Sequence, residues 1–363
     1  MSRAGDPMLI SETHPATCIQ LVGLEPSAAS AVLRILEGAG YWNVLTLPHP
    51  ERIDLAADLT SGVALVDVGP GSDLGTDDVH ALTAARGPDV RVVAVTSSHS
   101  VELRARAVAA GASAVLTLPA ETSEVLRTLG VMVEVHRAHK ELRFLKALSP
   151  TGDDRDASTA RDHAEVTLLA RLATLVERTS SELGRHSRRV AKLADDTAAA
   201  MGLDEESGVA VRRAARAHDL GKLAVPRALL DTTAKLGRAD IEVLRTHAML
   251  GANMLKGGDG PVLRLAHEVA LSHHEWWDGS GYPQGLAGEG IPLAARIVSV
   301  VDAFDAMTND RTYRQALTPT LAVGELEKWS GTQFDPSVVA AFLGVLESDL
   351  ALRGCGARAR KRP

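Results

Sequence analysis

Five of the thirteen histidines in this 363-residue chain (His186, His218, His247, His273 and His274) fall within one stretch, each beside a helical pattern. Glu182 and His186 are four residues apart and share a helix face. His218-Asp219 follows the amphipathic run Val211 to Ala217, and His247 lies inside the run Ala239 to Leu255. His273-His274 close an apolar helix that begins near Val262. Asp302 sits within Ala294 to Ala306, a helix too apolar to carry an unpaired carboxylate without cost. Imidazoles and carboxylates are metal ligands by type. A bound divalent cation would acidify water enough to make a hydrolytic nucleophile near neutral pH.

Taken singly, each residue has a plainer reading. A lone histidine on an amphipathic helix is more often a satisfied or surface group than a ligand, and Asp302 could pair with Arg296. His14, His49, His80, His99, His136, His139, His163 and His267 keep that plainer reading. The others gain weight from two companions. Lys222 follows Asp219 by about one turn, and the loop Asp278 to Gly290 has five glycines among thirteen residues. Glycine lets main chain approach a ligand closely, although a purely structural turn is the rival reading. Trp276 and Trp277 could stack on a base or pin the loop to the core.

The elements that must position these groups divide the chain in two. From Ala16 to about Thr128, short apolar runs alternate with helical stretches. Cys18–Gly23, Trp42–Leu47, Val63–Val68, Val90–Thr96 and Ala114–Leu118 read as buried strands. Ser27–Glu37 and Ser100–Ala110 read as helices ended by Gly38 and Gly111. Five β–α alternations imply a doubly wound parallel sheet. A helix from Glu121 to about Leu148 leaves this unit, and the polar run Ser149 to Asp156 reads as a linker. Beyond Ser158 the pattern is helical nearly throughout. The fold class expected is therefore multidomain: an α/β (βα)5 unit over 16–138, a helical and polar linker over 139–160, an all-α bundle over 161–348, and a basic tail over 349–363.

Composition narrows the function classes. A formal charge of −7 argues against a general DNA binder. The tail Arg358 to Arg362 reads as a solvated end. No stretch approaches the roughly 20 apolar residues of a membrane span, and the start of the chain lacks a signal-peptide core. Cys18 and Cys355 form neither a disulfide framework nor a zinc pattern. A soluble, cytoplasmic protein is expected.

The joint pattern resembles the HD-GYP family of cyclic dinucleotide phosphodiesterases, over about Thr167 to Phe342. Arg185-His186-Ser187-Arg188-Arg189-Val190 is similar to its opening motif, and His218-Asp219-Leu220-Gly221-Lys222 to its HD signature. The run His273-His274-Glu275-Trp276-Trp277-Asp278-Gly279-Ser280-Gly281-Tyr282-Pro283 matches its defining segment almost residue for residue. Ala295-Arg296-Ile297, Val301 to Met307 and Asp310-Arg311-Thr312-Tyr313-Arg314 complete it. One departure is Thr232-Thr233-Ala234, where the family commonly has Lys-Pro-Gly.

This resemblance implies that His186, His218, Asp219 and Asp302 hold one metal, and that His247, His273 and His274 hold a second, with Asp219 bridging. Glu182 matches a glutamate of members that take a third. Two or three cations per chain are thus expected; ligation without thiolate suits iron or manganese. The implied chemistry is attack on phosphorus by a hydroxide shared between cations. Lys222 would steady the phosphate or leaving oxygen. Arg311 and Arg314 would grip ligand phosphates, and Gly281, Tyr282 and Pro283 would serve substrate recognition or partner contact. Cyclic di-GMP is the expected substrate, giving linear pGpG or GMP. Rival expectations are a sensor or docking protein without useful turnover, and a phosphohydrolase of another nucleotide. A diguanylate cyclase or other signalling protein is the partner class implied.

The first half resembles a response-regulator receiver domain. Asp67 occupies the phospho-acceptor position, Thr96 the hydroxyl position, and Pro119 the usual Lys-Pro site. Gly23-Leu24 replaces the acidic pair, leaving Glu25 nearby, and Leu118 stands where the lysine belongs. Phosphoryl transfer to a carboxylate needs a divalent cation, so Asp67 is expected to be a strand-end residue of an interaction module. The helix Glu121 to Leu148 could pair with its copy in a homodimer through Val125, Leu129, Met132 and Val133, or pack those residues on its own sheet.

Overall fold

The computed structural model describes residues 17–47, 61–148, 154–258, 260–310 and 315–359. Strands β1 (Cys18–Val22), β2 (Val44–Leu47), β3 (Gly62–Asp67), β4 (Val90–Thr96) and β5 (Ala114–Thr117) form one sheet in the order β2-β1-β3-β4-β5. Every pairing is parallel. The near-continuous apolar runs of β3 and β4 follow from this, because both faces of a central parallel strand are covered. The segment expected as strand from Trp42 differs. It pairs only from Val44, and Trp42 and Leu45 are exposed, because β2 is the sheet edge.

Helices α1 (Pro26–Gly38), α2 (Thr76–Arg86) and α3 (Val101–Ala109) cover the sheet. Proline opens α1, where its missing N–H is not needed. The Ser100 hydroxyl caps α3 by accepting from Leu103 N. Helix α4 (Thr122–Leu148) has 27 residues and so runs about 40 Å. Its Val125, Leu129, Met132 and Val133 are all buried within the chain, so the positions considered for a dimer seam are taken up by its own packing.

The remainder is helical: α5 (Asp154–Thr179), α6 (Ser181–Ala200), α7 (Glu205–Ala215), a 3₁₀ turn (Leu220–Ala224), α8 (Arg227–Leu230), α9 (Arg238–Leu255), α10 (Pro261–Ser272), α11 (Leu293–Thr308), α12 (Pro319–Lys328) and α13 (Pro336–Ala359). Among the described residues no helix is long and apolar enough to cross a membrane. Residue 138 falls inside α4, in keeping with a helix running into the linker, and His136, His139 and Leu142 are buried on either side of it. The tail expected from 349 is helical through Ala359. The polar run at 149–153 lies outside the described residues.

The two halves meet in a polar joint. Arg91, buried at the start of β4, donates to the Asn253 and Lys256 carbonyls at the end of α9, both at 3.2 Å. Asn253 Nδ2 donates in return to the carbonyls of Val108 and Ala112, both at 2.9 Å. His139 Nε2 donates to the Met254 carbonyl at 2.8 Å. The contacts on Asn253 and Met254 satisfy carbonyls that the last turn of a helix leaves without partners.

Candidate metal centre

Each candidate ligand stands at a defined place on the bundle. His186 lies mid-α6, whose N-terminus is capped by Ser180. His218 and Asp219 lie where α7 gives way to the 3₁₀ turn. His247 is on α9, His273 is the C-cap of α10 with His274 next to it, and Asp302 is on α11. The fold thus brings residues 116 positions apart in sequence, His186 to Asp302, to 3.1 Å between Nε2 and Oδ1.

The hydrogen bonds fix which ring nitrogens are free. Nδ1 of His218 faces the Ala215 carbonyl at 2.7 Å, that of His247 the Leu244 carbonyl at 2.7 Å, and that of His273 the Val269 carbonyl at 3.0 Å. A carbonyl only accepts, so each Nδ1 carries the proton and each Nε2 presents a lone pair. The Nε2 lone pairs of His247 and His273 face each other at 3.4 Å, a conflict between two acceptors that a cation would remove. Nε2 of His274 lies 3.1 Å from that of His247, and Nε2 of His186 lies 3.3 Å from that of His218.

Asp219 joins the two clusters. Its Oδ2 lies 3.4 Å from His218 Nε2 and 3.7 Å from His186 Nε2, while its Oδ1 lies 3.5 Å from His247 Nε2. Oδ1 is buried and has no hydrogen-bond partner, an arrangement that costs free energy unless a cation takes the lone pairs. The ligand atoms of His186, His218 and Asp302 all lie within 4.8 Å of one another, as do those of His247, His273 and His274, and those of His218, Asp219 and His273. The donor set therefore fits metal binding, with Asp219 placed between the two histidine groups.

Electrostatics divide the histidines. Burial pushes His247 down to about 4 and His273 to about 3, and holds His274 well below its usual value, so these three stay neutral and ready to ligate. Burial works against charge on His186 too, but the Asp302 and Asp305 carboxylates outweigh it and push its pKa up to about 9. Asp219 is buried, which opposes charge, yet the Lys222 ammonium and neighbouring His218 keep it well below the carboxylate range. Lys222 Nζ sits 2.5 Å from Asp219 Oδ2.

Other expected residues fall differently. Glu182 lies on α6 but is exposed and outside the three ligand groupings. Arg311 and Arg314 lie outside the described residues. Asp302 does not pair with Arg296, which binds Asp335 at 2.5 Å instead. The Gly281-Tyr282-Pro283 segment folds back on the histidines. Tyr282 stacks on the His274 ring at 4.9 Å and 26°, and the Arg245 guanidinium lies 4.9 Å from the centre of the Tyr282 ring. A Cβ on Gly281 would come within 2.2 Å of Trp276 N, so close backbone approach demands glycine there. Trp276 packs near Trp329, and Trp277 takes the Arg296 guanidinium at 5.7 Å, so both tryptophans tie the loop to the bundle.

Three residues escaped the sequence reading of the site. Asp305 Oδ2 receives His186 Nδ1 at 2.8 Å and is itself forked by Arg189, with Nε to Oδ1 at 2.6 Å. Glu275, buried, accepts from Gln284 N at 2.7 Å and Leu286 N at 3.0 Å and so shapes the glycine loop from within. Asp305 falls three residues after Asp302 and Arg189 three after His186, a spacing that places each pair on one helix face.

In the first half, Asp67 and Thr96 end adjacent strands. Asp67 Oδ1 accepts from Gly69 N at 2.8 Å, and burial raises its pKa. A Cβ at Gly69 would lie 3.1 Å from Asp67 Oδ1 and 3.4 Å from Thr96 Oγ1, so these two groups border the same small space.

A helical bundle presenting a His-Asp pair among converging histidines, behind a receiver-like α/β unit, defines an HD-type hydrolase architecture, and the HD domain matches residues 171–338. The chain belongs to the HD-GYP family of HD-domain proteins, which includes cyclic di-GMP phosphodiesterases. It is similar to the "Cyclic di-GMP phosphodiesterase" of Thermotoga maritima, 33% identical over 312 residues that cover 83% of each chain. It is also similar to the "Cyclic di-GMP phosphodiesterase response regulator RpfG" of Xanthomonas campestris, 32% identical over 255 residues, covering 70% of this chain and 67% of the relative. A "3'3'-cGAMP-specific phosphodiesterase 2" of Vibrio cholerae is 34% identical over 186 residues, 51% of this chain and 36% of that one.

Proposed function

We propose that this chain is a metal-dependent phosphodiesterase that hydrolyses cyclic di-GMP to linear pGpG, to GMP, or to both. The observation that carries the reading is the convergence of the His186, His218 and His247 Nε2 atoms on the two oxygens of Asp219, one of which is buried and has no hydrogen-bond partner. His186, His218 and Asp302 with Asp219 Oδ2 would hold one cation; His247, His273 and His274 with Asp219 Oδ1 would hold the other. Nitrogen and oxygen donors without thiolate favour iron or manganese. Bound there, the cations supply Lewis acidity toward phosphoryl oxygens and an acidified water.

The chain's own residues do the rest. Lys222 keeps its ammonium beside Asp219 and remains partly exposed, so it can donate to a phosphate oxygen and offset charge that builds during displacement. Asp305 orients His186, and Tyr282 braces His274. The glycine loop, held by Glu275, lets main chain reach toward the dinucleotide. Arg311 and Arg314 are assigned to its phosphates. The similarity to cyclic di-GMP phosphodiesterases over most of the chain supports this substrate; that to the 3'3'-cGAMP enzyme makes 3'3'-cGAMP the competing one. Protein purified anaerobically and loaded with iron or manganese should convert cyclic di-GMP to linear product, followed by chromatography. Absence of product under any metal loading overturns the reading, and turnover of 3'3'-cGAMP alone transfers it to that substrate.

The receiver-like unit is proposed to work without phosphorylation, since Gly23-Leu24 offers no second carboxylate for a cation near Asp67. Intact mass after exposure to a small-molecule phosphodonor should show the unmodified chain; a phosphorylated species reverses this.

A further inference from the structure

Arg127 lies on α4, which issues from the receiver-like unit, yet its guanidinium serves the metal centre's own backbone. Nη1 donates to the Leu223 carbonyl at 2.5 Å and Nη2 to the Val225 carbonyl at 3.4 Å. These carbonyls lie at the end of the 3₁₀ turn Leu220–Ala224, whose N-cap is Asp219, whose C-cap is Val225, and which carries Lys222. That turn is in turn pressed into α9. A Cβ on Gly221 would sit 1.9 Å from the His247 carbonyl oxygen and 2.5 Å from Gly251 N, so the two backbones touch with no room for any side chain. The far end of α9 is held from the first half as well, by Arg91 on the Asn253 and Lys256 carbonyls and by Asn253 on Val108 and Ala112. Asp219 and His247 therefore ride on a wedge of turn and helix gripped at both ends by the receiver-like unit.

We propose that Arg127 and the Arg91–Asn253 joint are positioning residues of the metal centre, so that the N-terminal unit sets the separation of Asp219 from His247 and with it the affinity for the cation held between them. The inference rests on the metal-centre reading but not on the identity of the substrate. Its physical basis is geometric. The Asp219 Oδ1 to His247 Nε2 gap is 3.5 Å, and both atoms belong to short, buried side chains that follow their backbone closely. Loss of a grip on that backbone is thus passed to the ligands without damping. Supporting groups of this kind commonly govern metal affinity by 10 to 100-fold.

The test uses the full chain with Arg127→Met, Asn253→Ser and the control Arg137→Ala, a part-exposed position of α4 paired with Glu134. Mn²⁺ alone is titrated by equilibrium dialysis, with circular dichroism confirming folded protein and hydrogen exchange followed over residues 219–255. Arg127→Met and Asn253→Ser should bind one Mn²⁺ about tenfold or more weakly and exchange faster over the turn and α9. Arg137→Ala should match the parent chain. If Arg127→Met does not fold, Asn253→Ser carries the same criteria. Unchanged Mn²⁺ affinity in a folded variant, or an equal loss in the control, overturns the proposal. A parent chain that binds Mn²⁺ but hydrolyses no cyclic dinucleotide would end the proposed activity and leave this inference standing.

Discussion

His186 and Asp305 are joined by a 2.8 Å hydrogen bond from Nδ1 to Oδ2, and the same carboxylate is held by Arg189 through two nitrogens. The bond fixes the imidazole so that Nε2 faces Asp302. Asp305→Asn keeps the shape but weakens the grip on both partners. It should lower metal affinity by about tenfold or more, as removal of a ligand's hydrogen-bond partner does, with the fold retained. Metal analysis of dialysed protein checks this.

Asp219 and Lys222 touch, yet they should separate cleanly on substitution. Asp219→Asn removes the carboxylate between the clusters, so both cations should be lost or weakened and turnover with them. Lys222→Met leaves every ligand in place. It should keep metal content near that of the parent while kcat falls by roughly 10²-fold or more, the usual effect of removing a charge that stabilises a displacement. Metal counts set against kcat distinguish the two.

The stack of Tyr282 on His274 needs a ring and not a hydroxyl. Tyr282→Phe should therefore retain metal and activity, whereas Tyr282→Ala should lose affinity at the His247, His273 and His274 cluster. Gly281→Ala places a methyl against the Trp276 amide and should cost on the order of 2 kcal/mol or more, as overpacking does. Thermal melting and Mn²⁺ titration of the three variants test these outcomes.

Acid should loosen the joint between the halves. Burial, reinforced by Arg91 and Arg143, holds His136 down at about 4, against an ordinary 6.5. Above pH 6.5 the imidazole is neutral whether the chain is folded or not. Below it the unfolded chain takes up a proton that the folded chain refuses, so stability falls until about pH 4, where folded His136 also protonates. His139, held low by burial and then by Arg91, adds in the same direction. His136→Gln should flatten the decline in melting temperature between pH 6.5 and 4.

Much of this was legible in the sequence because it depends on local pattern. The five strands declare themselves through runs of Val, Ile, Leu and Ala, and His218-Asp219 and His273-His274 through adjacency. Asp305 and Glu275 were not legible as site-builders. Their partners, His186 and the Gln284 and Leu286 amides, are matched by tertiary folding or by the path of an irregular loop. His136 and His139 are buried packing groups rather than ligands, as their isolation in sequence suggests, but nothing local signals that α4 is buried on two sides. Glu182 shows the opposite limit: its spacing from His186 places it on the right helix, but the observed side chain is exposed.

Helix α4 has a bearing on how such chains are assembled from parts. Its buried face is divided between the sheet of the first half and the bundle of the second: Leu129 and Met132 are fully buried, and so, further along, is His139, which bonds to α9. A gene fusion that replaced the first half by cutting at residue 150 would strip the bundle of α4 and leave α5 and the end of α9 bare. Exchange of the front unit for another can succeed only if the incoming unit brings a helix with an Arg127 of its own, or if the cut is made ahead of residue 122. The part that travels with the catalytic half is longer than its ligands alone would define.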